Sequence, residues 1–189
     1  MDSDLNFGRF EIRRFFDIPE DAFALISTFD SYSFLTRKNP AAAVRAFQAA
    51  FEPDENVRLV LKTQNMNGVL GESSAARRIA ELRELLEGDE RIILIDETMP
   101  FTDLIELKSA LDGYVSLHRS EGWGYGLIES MQLKKPVIAT ETSIRACRPA
   151  RRIVSRTKVL IRRWPERDIS CCFRPIHLWA ASVEENTSR

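Results

Sequence analysis

Hydrophobic residues along the chain fall into two alternating patterns. The first is a short, nearly continuous apolar run, which is typical of a strand buried on both faces of a parallel sheet. Five such runs occur, at residues 23–29, 57–61, 91–95, 113–117 and 136–139. In the second pattern, apolar residues recur at helical spacing and predict helices between the runs. This alternation predicts βαβ units, and therefore an α/β fold with a doubly wound, Rossmann-like parallel sheet of about five strands.

Individual residues mark the expected helix ends. Asn39 is predicted to cap a helix that begins at Pro40, because asparagine accepts from free amides and proline fits the first helical position. Gly88 is predicted to end the helix between the second and third runs. Thr102 or Asp103 is predicted to cap the helix that follows the third run.

The loops that follow the strands are expected to meet at one edge of the sheet. Right-handed crossovers place them there, and ligands of open α/β sheets bind beyond the carboxyl ends of the strands. Residues 118–131 form the richest of these loops, with three glycines and the two carboxylates of Glu121 and Glu129 at a strand-to-helix turn. Free N–H groups and the positive end of the helix dipole favour anions here, phosphates above all.

Two glutamates eight positions apart, around Gly-aromatic-Gly, resemble the signature of retaining glycosyltransferases that have two Rossmann-like domains, the GT-B architecture. Residues 117–131 and 135–140 are most similar to the donor-binding domain of family 4, the group 1 transferases. The resemblance covers roughly residues 18–140. It implies a single GT-B half-domain and transfer of a hexosyl unit from a nucleotide sugar with retention at the anomeric carbon. Residues 1–20 are then a connector, and 21–140 the nucleotide-sugar-binding domain.

The resemblance also implies roles for the signature residues. Glu121, as the catalytic residue, would contact the transferred sugar beside the reacting carbon, and the alternative is a carboxylate that only caps the turn. Glu129 would accept hydrogen bonds from the ribose hydroxyls, a role that suits its two acceptor oxygens; the alternative is a solvated helix glutamate. The backbone amides expected to hold sugar and phosphate are those of Gly122, Trp123, Gly124 and Tyr125.

Basic residues at the same edge are candidates for the diphosphate. Lys38 matches the lysine of the family's phosphate-binding loop, and a cation there would stabilise charge that develops on the leaving diphosphate. The family's arginine is not visible after the first strand, and Arg37 is a candidate substitute. Lys62 would point a second charge into the cleft, although a plain surface lysine is an equal alternative. His118 is more typical of a structural histidine.

No cofactor or essential metal is predicted, because Asp96-Glu97 does not form an Asp-x-Asp pair. The expected partners are a nucleotide sugar and a separate N-terminal acceptor domain. No nucleic acid is expected. We find no signal peptide and no apolar run long enough to span a membrane, so a cytoplasmic location is expected.

The composition changes at about Thr140. Residues 1–140 hold 16 Lys and Arg against 23 Asp and Glu, a net charge of −7, whereas residues 141–189 hold 11 against 5, a net charge of +6. All three cysteines lie in 141–189, and all eight glycines precede it. We interpret this C-terminal part as irregular, an out-of-frame or disordered tail. The rival interpretation is a basic arm for a nucleic acid or membrane surface.

Three interpretations of the chain follow from these observations. The first is a donor-binding glycosyltransferase fragment, weak or inactive alone because the acceptor domain would need some 150 further residues. The second is a non-catalytic nucleotide- or flavin-binding α/β module. The third is a non-functional gene remnant.

Overall fold

The computed structural model describes residues 8–32, 35–68 and 73–140. Five parallel strands form one sheet in the order β3-β2-β1-β4-β5. Their bounds are β1 (Phe23–Thr28), β2 (Val57–Thr63), β3 (Ile92–Asp96), β4 (Gly113–Ser116) and β5 (Val137–Ala139). The predicted five-stranded, Rossmann-like α/β fold is therefore confirmed. The predicted tail, 141–189, lies outside the described residues.

Six α-helices accompany the sheet in the described ranges. They are α1 (Arg9–Phe15), α2 (Leu35–Lys38), α3 (Pro40–Ala50), α4 (Ser74–Leu86), α5 (Phe101–Ala110) and α6 (Tyr125–Gln132). A short 3₁₀ turn covers Met66–Gly68. The sequence patterns predicted α3 to α6, whereas α1 forms inside the stretch interpreted as a connector. Within the described ranges, no helix is long and apolar enough to cross a bilayer.

Helices cover the sheet on both faces. Alternate residues of a strand face opposite sides, so each strand contributes to both apolar clusters. In β1, Ala24 and Ile26 join one apolar cluster with Leu107 of α5 and Leu127 of α6. Leu25, between them in the sequence, joins the other cluster, which contains residues of α3 and α4. This arrangement explains why the strands are nearly continuous apolar runs.

The strand order reverses between β1 and β4, which makes this pair the switch point of the sheet. The two strands pair in parallel through Leu25 with Gly113 and Ile26 with Tyr114. The connections leave them in opposite directions, so a crevice forms beyond their carboxyl ends. The chain after β1 and the chain after β4 supply the walls of this crevice.

The amino edge of the sheet, where the strands begin, is held together by Arg13 of α1. The side chain of Arg13 is fully buried. Its guanidinium donates to the carbonyl of Ala110 at 2.9 Å, to that of Ala22 at 2.8 Å and to the Asp112 carboxylate at 2.7 Å. Asp112 also accepts from the Ala24 amide at 2.8 Å. Burial alone would raise the pKa of Asp112, but hydrogen bonds from the Ala24 amide, Arg9 and Arg13 outweigh it, and the pKa lies below its usual value.

Two of the predicted helix caps are wrong. Helix α3 begins at Pro40 with Asn39 at the N-cap position, as predicted, but the Asn39 side chain makes no capping hydrogen bond. Its backbone is left-handed, with φ of 50°, and its side chain donates to the carbonyl of Leu117. The helix predicted to be capped by Thr102 or Asp103 begins at Phe101 after Pro100, and no side chain caps it. The Thr102 hydroxyl donates to the Asp103 carboxylate instead of accepting from a main-chain amide. Gly88 does follow α4, and its φ of +80° is the left-handed conformation that ends many helices.

Candidate functional site

A cavity of about 300 Å³ lies at the carboxyl edge of the sheet, beside the β1–β4 switch point. Glu121 and Glu129 both line it, so the structure brings the two signature acids to one hollow. Gly122 and Trp123 are exposed in the turn between them and are not part of its lining. The other predicted binding residues that line the cavity are Lys38, Lys62, Gly124 and Tyr125.

Glu121 is the centre of a charged cluster beyond the end of β4. The ammonium of Lys38 donates to both of its carboxylate oxygens, at 3.2 Å and 3.0 Å. The imidazole Nδ1 of His118 lies 2.7 Å from Oε2, and the guanidinium of Arg37 lies 3.6 Å away from the same atom. Burial would raise the pKa of Glu121, but Lys38 and His118 outweigh it and hold this pKa below its usual value.

The segment around Lys38 is fastened to the loop that carries Glu121. The Asn39 side chain donates to the carbonyl of Leu117 at 3.1 Å, inside the protein. The amide of Arg119 donates to the carbonyl of Arg37 at 2.8 Å. Because these two hydrogen bonds flank Lys38, they fix its position relative to Glu121. The left-handed backbone of Asn39 is what turns its side chain toward β4 instead of toward the start of α3.

His118 is buried, with 4% of its surface exposed, and forms part of the wall behind Glu121. Burial, and next the nearby Lys38 charge, lower the pKa of His118, although the hydrogen bond to Glu121 opposes them. The imidazole is therefore neutral at neutral pH. Its main-chain carbonyl accepts from the Thr140 hydroxyl at 2.6 Å, which connects the end of β4 with the end of β5. That His118 is only structural, as the sequence predicted, stays a prediction; its contact with Glu121 is what the structure adds.

The glycines of the turn allow α6 to approach the sheet. Gly124 precedes α6 with a φ of +75°, a backbone conformation that residues other than glycine rarely adopt. A Cβ atom on Gly126 would collide with the ring and hydroxyl of Tyr114. Tyr114 is 2% exposed and its hydroxyl is hydrogen bonded to Thr28 at 2.8 Å, so it cannot move aside. Glycine at 126 therefore sets the depth at which the first turn of α6 lies.

Glu129, on α6, is paired with a lysine that the sequence analysis missed. The ammonium of Lys108 lies 2.5 Å from its Oε2 and 5.3 Å from the centroid of the Tyr114 ring. Lys108 is only 2% exposed, and both members of the pair line the cavity. A signal was present: Lys108 interrupts the inward face of α5, next to the fully buried Leu107.

Lys62 has a different environment from Lys38. Its ammonium donates to the main-chain carbonyls of Thr63 at 2.8 Å and Glu97 at 2.6 Å. Burial lowers the pKa of Lys62, against the opposing charges of Glu97 and Asp96. These contacts hold the ends of β2 and β3 together. Within the described residues, no group of three or more metal-ligating side chains is present.

Comparisons with known proteins show the family and the fold of this chain. A family model described as "Glycosyl transferases group 1" matches residues 11–146. Among solved structures, the chain is similar to WaaG, a glycosyltransferase involved in lipopolysaccharide biosynthesis, with 18% identity and a TM-score of 0.52, over 74% of this chain and 34% of that one. It is also similar to apo OtsA, with 10% identity and a TM-score of 0.52, over 72% and 35% of the two chains. At these identities the likeness concerns the fold.

The chain spans about a third of the length of these two structures. Among curated protein sequences, none matches it. The roles of the individual cavity residues remain predictions, as do the domain boundaries.

Proposed function

This chain belongs to the group 1 glycosyl transferases, and from that premise we propose that it provides the donor side of hexosyl transfer from a nucleotide sugar with retention, as in family 4. One observation supports this most: Glu121 and Glu129 line one cavity at the switch point, with a lysine beside each. This edge is where open α/β sheets bind nucleotides. The cavity has the carboxylates needed for sugar and ribose hydroxyls and a cation for a diphosphate.

At the sugar end, Glu121 and Lys38 divide the work. The pKa of Glu121 is lowered, so it is a carboxylate at neutral pH and accepts hydrogen bonds from the transferred sugar. Lys38 stabilises the negative charge that develops on the diphosphate as the glycosidic bond breaks. Since Lys38 is hydrogen bonded to Glu121, the groups that contact the diphosphate and the sugar are fixed relative to each other. Catalysis on this side is therefore positioning and electrostatic stabilisation.

At the nucleoside end, Glu129 accepts hydrogen bonds from the ribose. The amides at the start of α6, including that of Gly124, lie between the two acids in the sequence, and the helix dipole favours phosphate there. The exposed Gly122 and Trp123 would reach the donor only from the rim of the cavity.

A second Rossmann-like domain would bind the acceptor, as the GT-B architecture requires, and this chain spans about a third of the similar solved structures. We propose that the isolated chain binds the donor but turns it over weakly or not at all. No cofactor and no metal ion take part in this proposal.

Binding and transfer assays on the purified chain test the proposal. The chain is titrated with UDP-, GDP- and ADP-sugars by calorimetry and is then incubated with them and a panel of sugar acceptors. Glu121→Gln should weaken donor binding about tenfold or more, because a charged hydrogen-bond acceptor is lost. Glu84→Gln, which changes an exposed glutamate of α4, is the matched control and should change nothing.

Three results would contradict parts of the proposal. Failure to bind any nucleotide sugar, or tight binding of a flavin instead, removes the donor-binding function. An inverted anomeric configuration in any transfer product, read by NMR, removes retention. Rapid transfer by the isolated chain removes the claim that it is weak alone.

A further inference from the structure

We propose that Lys108 is a positioning residue that orients the Glu129 carboxylate to read the ribose hydroxyls of the donor. This inference rests on the proposed donor-binding function and concerns the nucleoside end of the same cavity. The resemblance to known transferases pointed to the glutamate, whereas the structure shows what holds it.

The ion pair leaves one carboxylate oxygen of Glu129 available. The Lys108 ammonium occupies Oε2 at 2.5 Å. In the described part of the chain, no donor forms a hydrogen bond with Oε1. The side chain of Glu129 is 16% exposed and that of Lys108 only 2%, so the lysine lies behind the glutamate as seen from solvent. A ribose hydroxyl entering the cavity would therefore meet a carboxylate whose orientation is already set.

Lys108 itself is held in place by its surroundings. Its ammonium lies 5.3 Å from the centroid of the Tyr114 ring, a distance at which a cation is attracted to the ring face. Tyr114 is in turn fixed by its hydrogen bond to Thr28 and by the close approach of Gly126. Since this chain of contacts joins α5, β4 and α6, the pair cannot turn as an exposed ion pair would. Without Lys108, the Glu129 carboxylate would rotate about its side-chain torsions.

What the Lys108 ammonium contacts distinguishes a positioning role from direct binding of phosphate. Lys108 lines the cavity, so a direct contact with a phosphate is the competing explanation. Its shortest contact is with the carboxylate, however, and Lys38 already supplies a cation at the sugar end. A positioning role predicts loss of ribose recognition with diphosphate binding retained. A phosphate ligand would lose both.

Calorimetric titration of the full chain distinguishes these roles. The probes are UDP, GDP and ADP, the 2′-deoxy analogue of each, and inorganic diphosphate. The protein should prefer ribose over 2′-deoxyribose about tenfold, because the deoxy analogue leaves the charged acceptor of Glu129 unpaired. Lys108→Met should reduce this preference to about twofold or less and leave the affinity for inorganic diphosphate within about twofold. Lys108→Arg, which keeps a cation, should restore part of the preference.

A double-mutant cycle tests whether Lys108 acts through Glu129. Glu129→Gln should abolish the ribose preference, and adding Lys108→Met to that variant should change the preference no further. Circular dichroism and thermal melting check that each variant is folded. If Lys108→Met does not fold, Lys108→Gln, which removes the charge at similar length, is compared in its place and should lower the preference at least threefold.

Each outcome decides between explanations. An unchanged ribose preference in the folded Lys108 variant overturns the inference and leaves the proposed function in place. Equal losses for nucleotides and inorganic diphosphate also overturn it and make Lys108 a phosphate ligand. A wild-type chain that binds no nucleotide, or shows no ribose preference, removes the proposed donor function or the role of Glu129, and this inference with it.

Discussion

The two edges of this sheet each carry a basic side chain paired with a carboxylate, but the pairs are built differently. At the amino edge, Arg13 has no exposed surface, and its guanidinium is surrounded by carbonyls and by Asp112. At the carboxyl edge, Lys38 and Glu121 keep 15% and 14% of their side chains exposed and line a cavity. The cation of the first pair is closed off from solvent, whereas the second pair borders a space that a ligand can enter.

The difference separates a pair that serves stability at one edge from a pair that we propose serves recognition at the other. A buried cation is tolerated only when its hydrogen bonds are made within the protein, so Arg13 fastens α1 to the sheet. A pair at a cavity gives less stability, because water competes for it, but its charges remain available. Four predictions test this contrast, from the largest effect to the smallest.

Arg13→Met should lower the free energy of unfolding by about 3–5 kcal/mol, since it removes the buried cation that donates to Asp112 and to the carbonyls of Ala22 and Ala110. Urea denaturation measures the change. Arg14→Met, on the exposed side of the same helix, is the matched control and should alter stability by less than about 0.5 kcal/mol. Equal effects of the two substitutions would show that the amino-edge network does not stabilise the fold.

Lys38→Met should weaken binding of UDP-, GDP- or ADP-sugars about tenfold or more, because a charge-assisted contact to the diphosphate is lost. The free energy of unfolding should fall by only about 1 kcal/mol, since the pair is partly exposed. Calorimetry and urea denaturation measure the two effects. Arg45→Met, at an exposed position of α3, is the control. A large loss of stability without a loss of binding would erase the contrast between the edges.

Acidification should destabilise the chain through His118. Its pKa is lowered in the folded state, so below about pH 6.5 the unfolded chain binds a proton that the native chain does not. The stability is complete above that pH and declines as the pH falls toward the native pKa, with a slope of at most about 1.4 kcal/mol per pH unit. His118→Asn should flatten this slope in urea denaturation between pH 5 and 7. A slope identical to that of the wild type would mean that another group titrates.

Lys62→Met should change nucleotide-sugar affinity by less than about twofold. The ammonium of Lys62 already donates to two carbonyls, so we expect it to hold the strand ends rather than reach the diphosphate. Calorimetry beside Lys38→Met gives the comparison. A tenfold loss would restore the direct donor-binding role that the sequence predicted for Lys62.

The sequence predicted the sheet because buried parallel strands leave a strong local signal. The same is true of the signature turn, where glycines and acids follow a strand directly. The helix α1 was missed since its aromatic residues mislead: Phe10 and Phe15 are 61% and 77% exposed, while Ile12 and Arg13 face the core. A fully buried arginine cannot be recognised without the carbonyls that surround it.

The parts of the site that the sequence did not predict depend on contacts between distant segments. Asn39 is a good helix cap by local rules, but a carbonyl 78 positions away takes its side chain. Lys108 is an ordinary helix lysine by composition, and only the packing of α5 against α6 places it at Glu129, 21 positions on. In both cases, contacts between distant segments decide where the side chain binds, and the local sequence does not show them.

The tight fit between Gly126 and Tyr114 has a consequence for how this protein could change by mutation. A methyl group at position 126 is excluded while the tyrosine is present, so a larger residue there could be accepted only after the residue at 114 had become smaller. The two substitutions would have to occur in that order, and a library that varies only one position would not discover the combination.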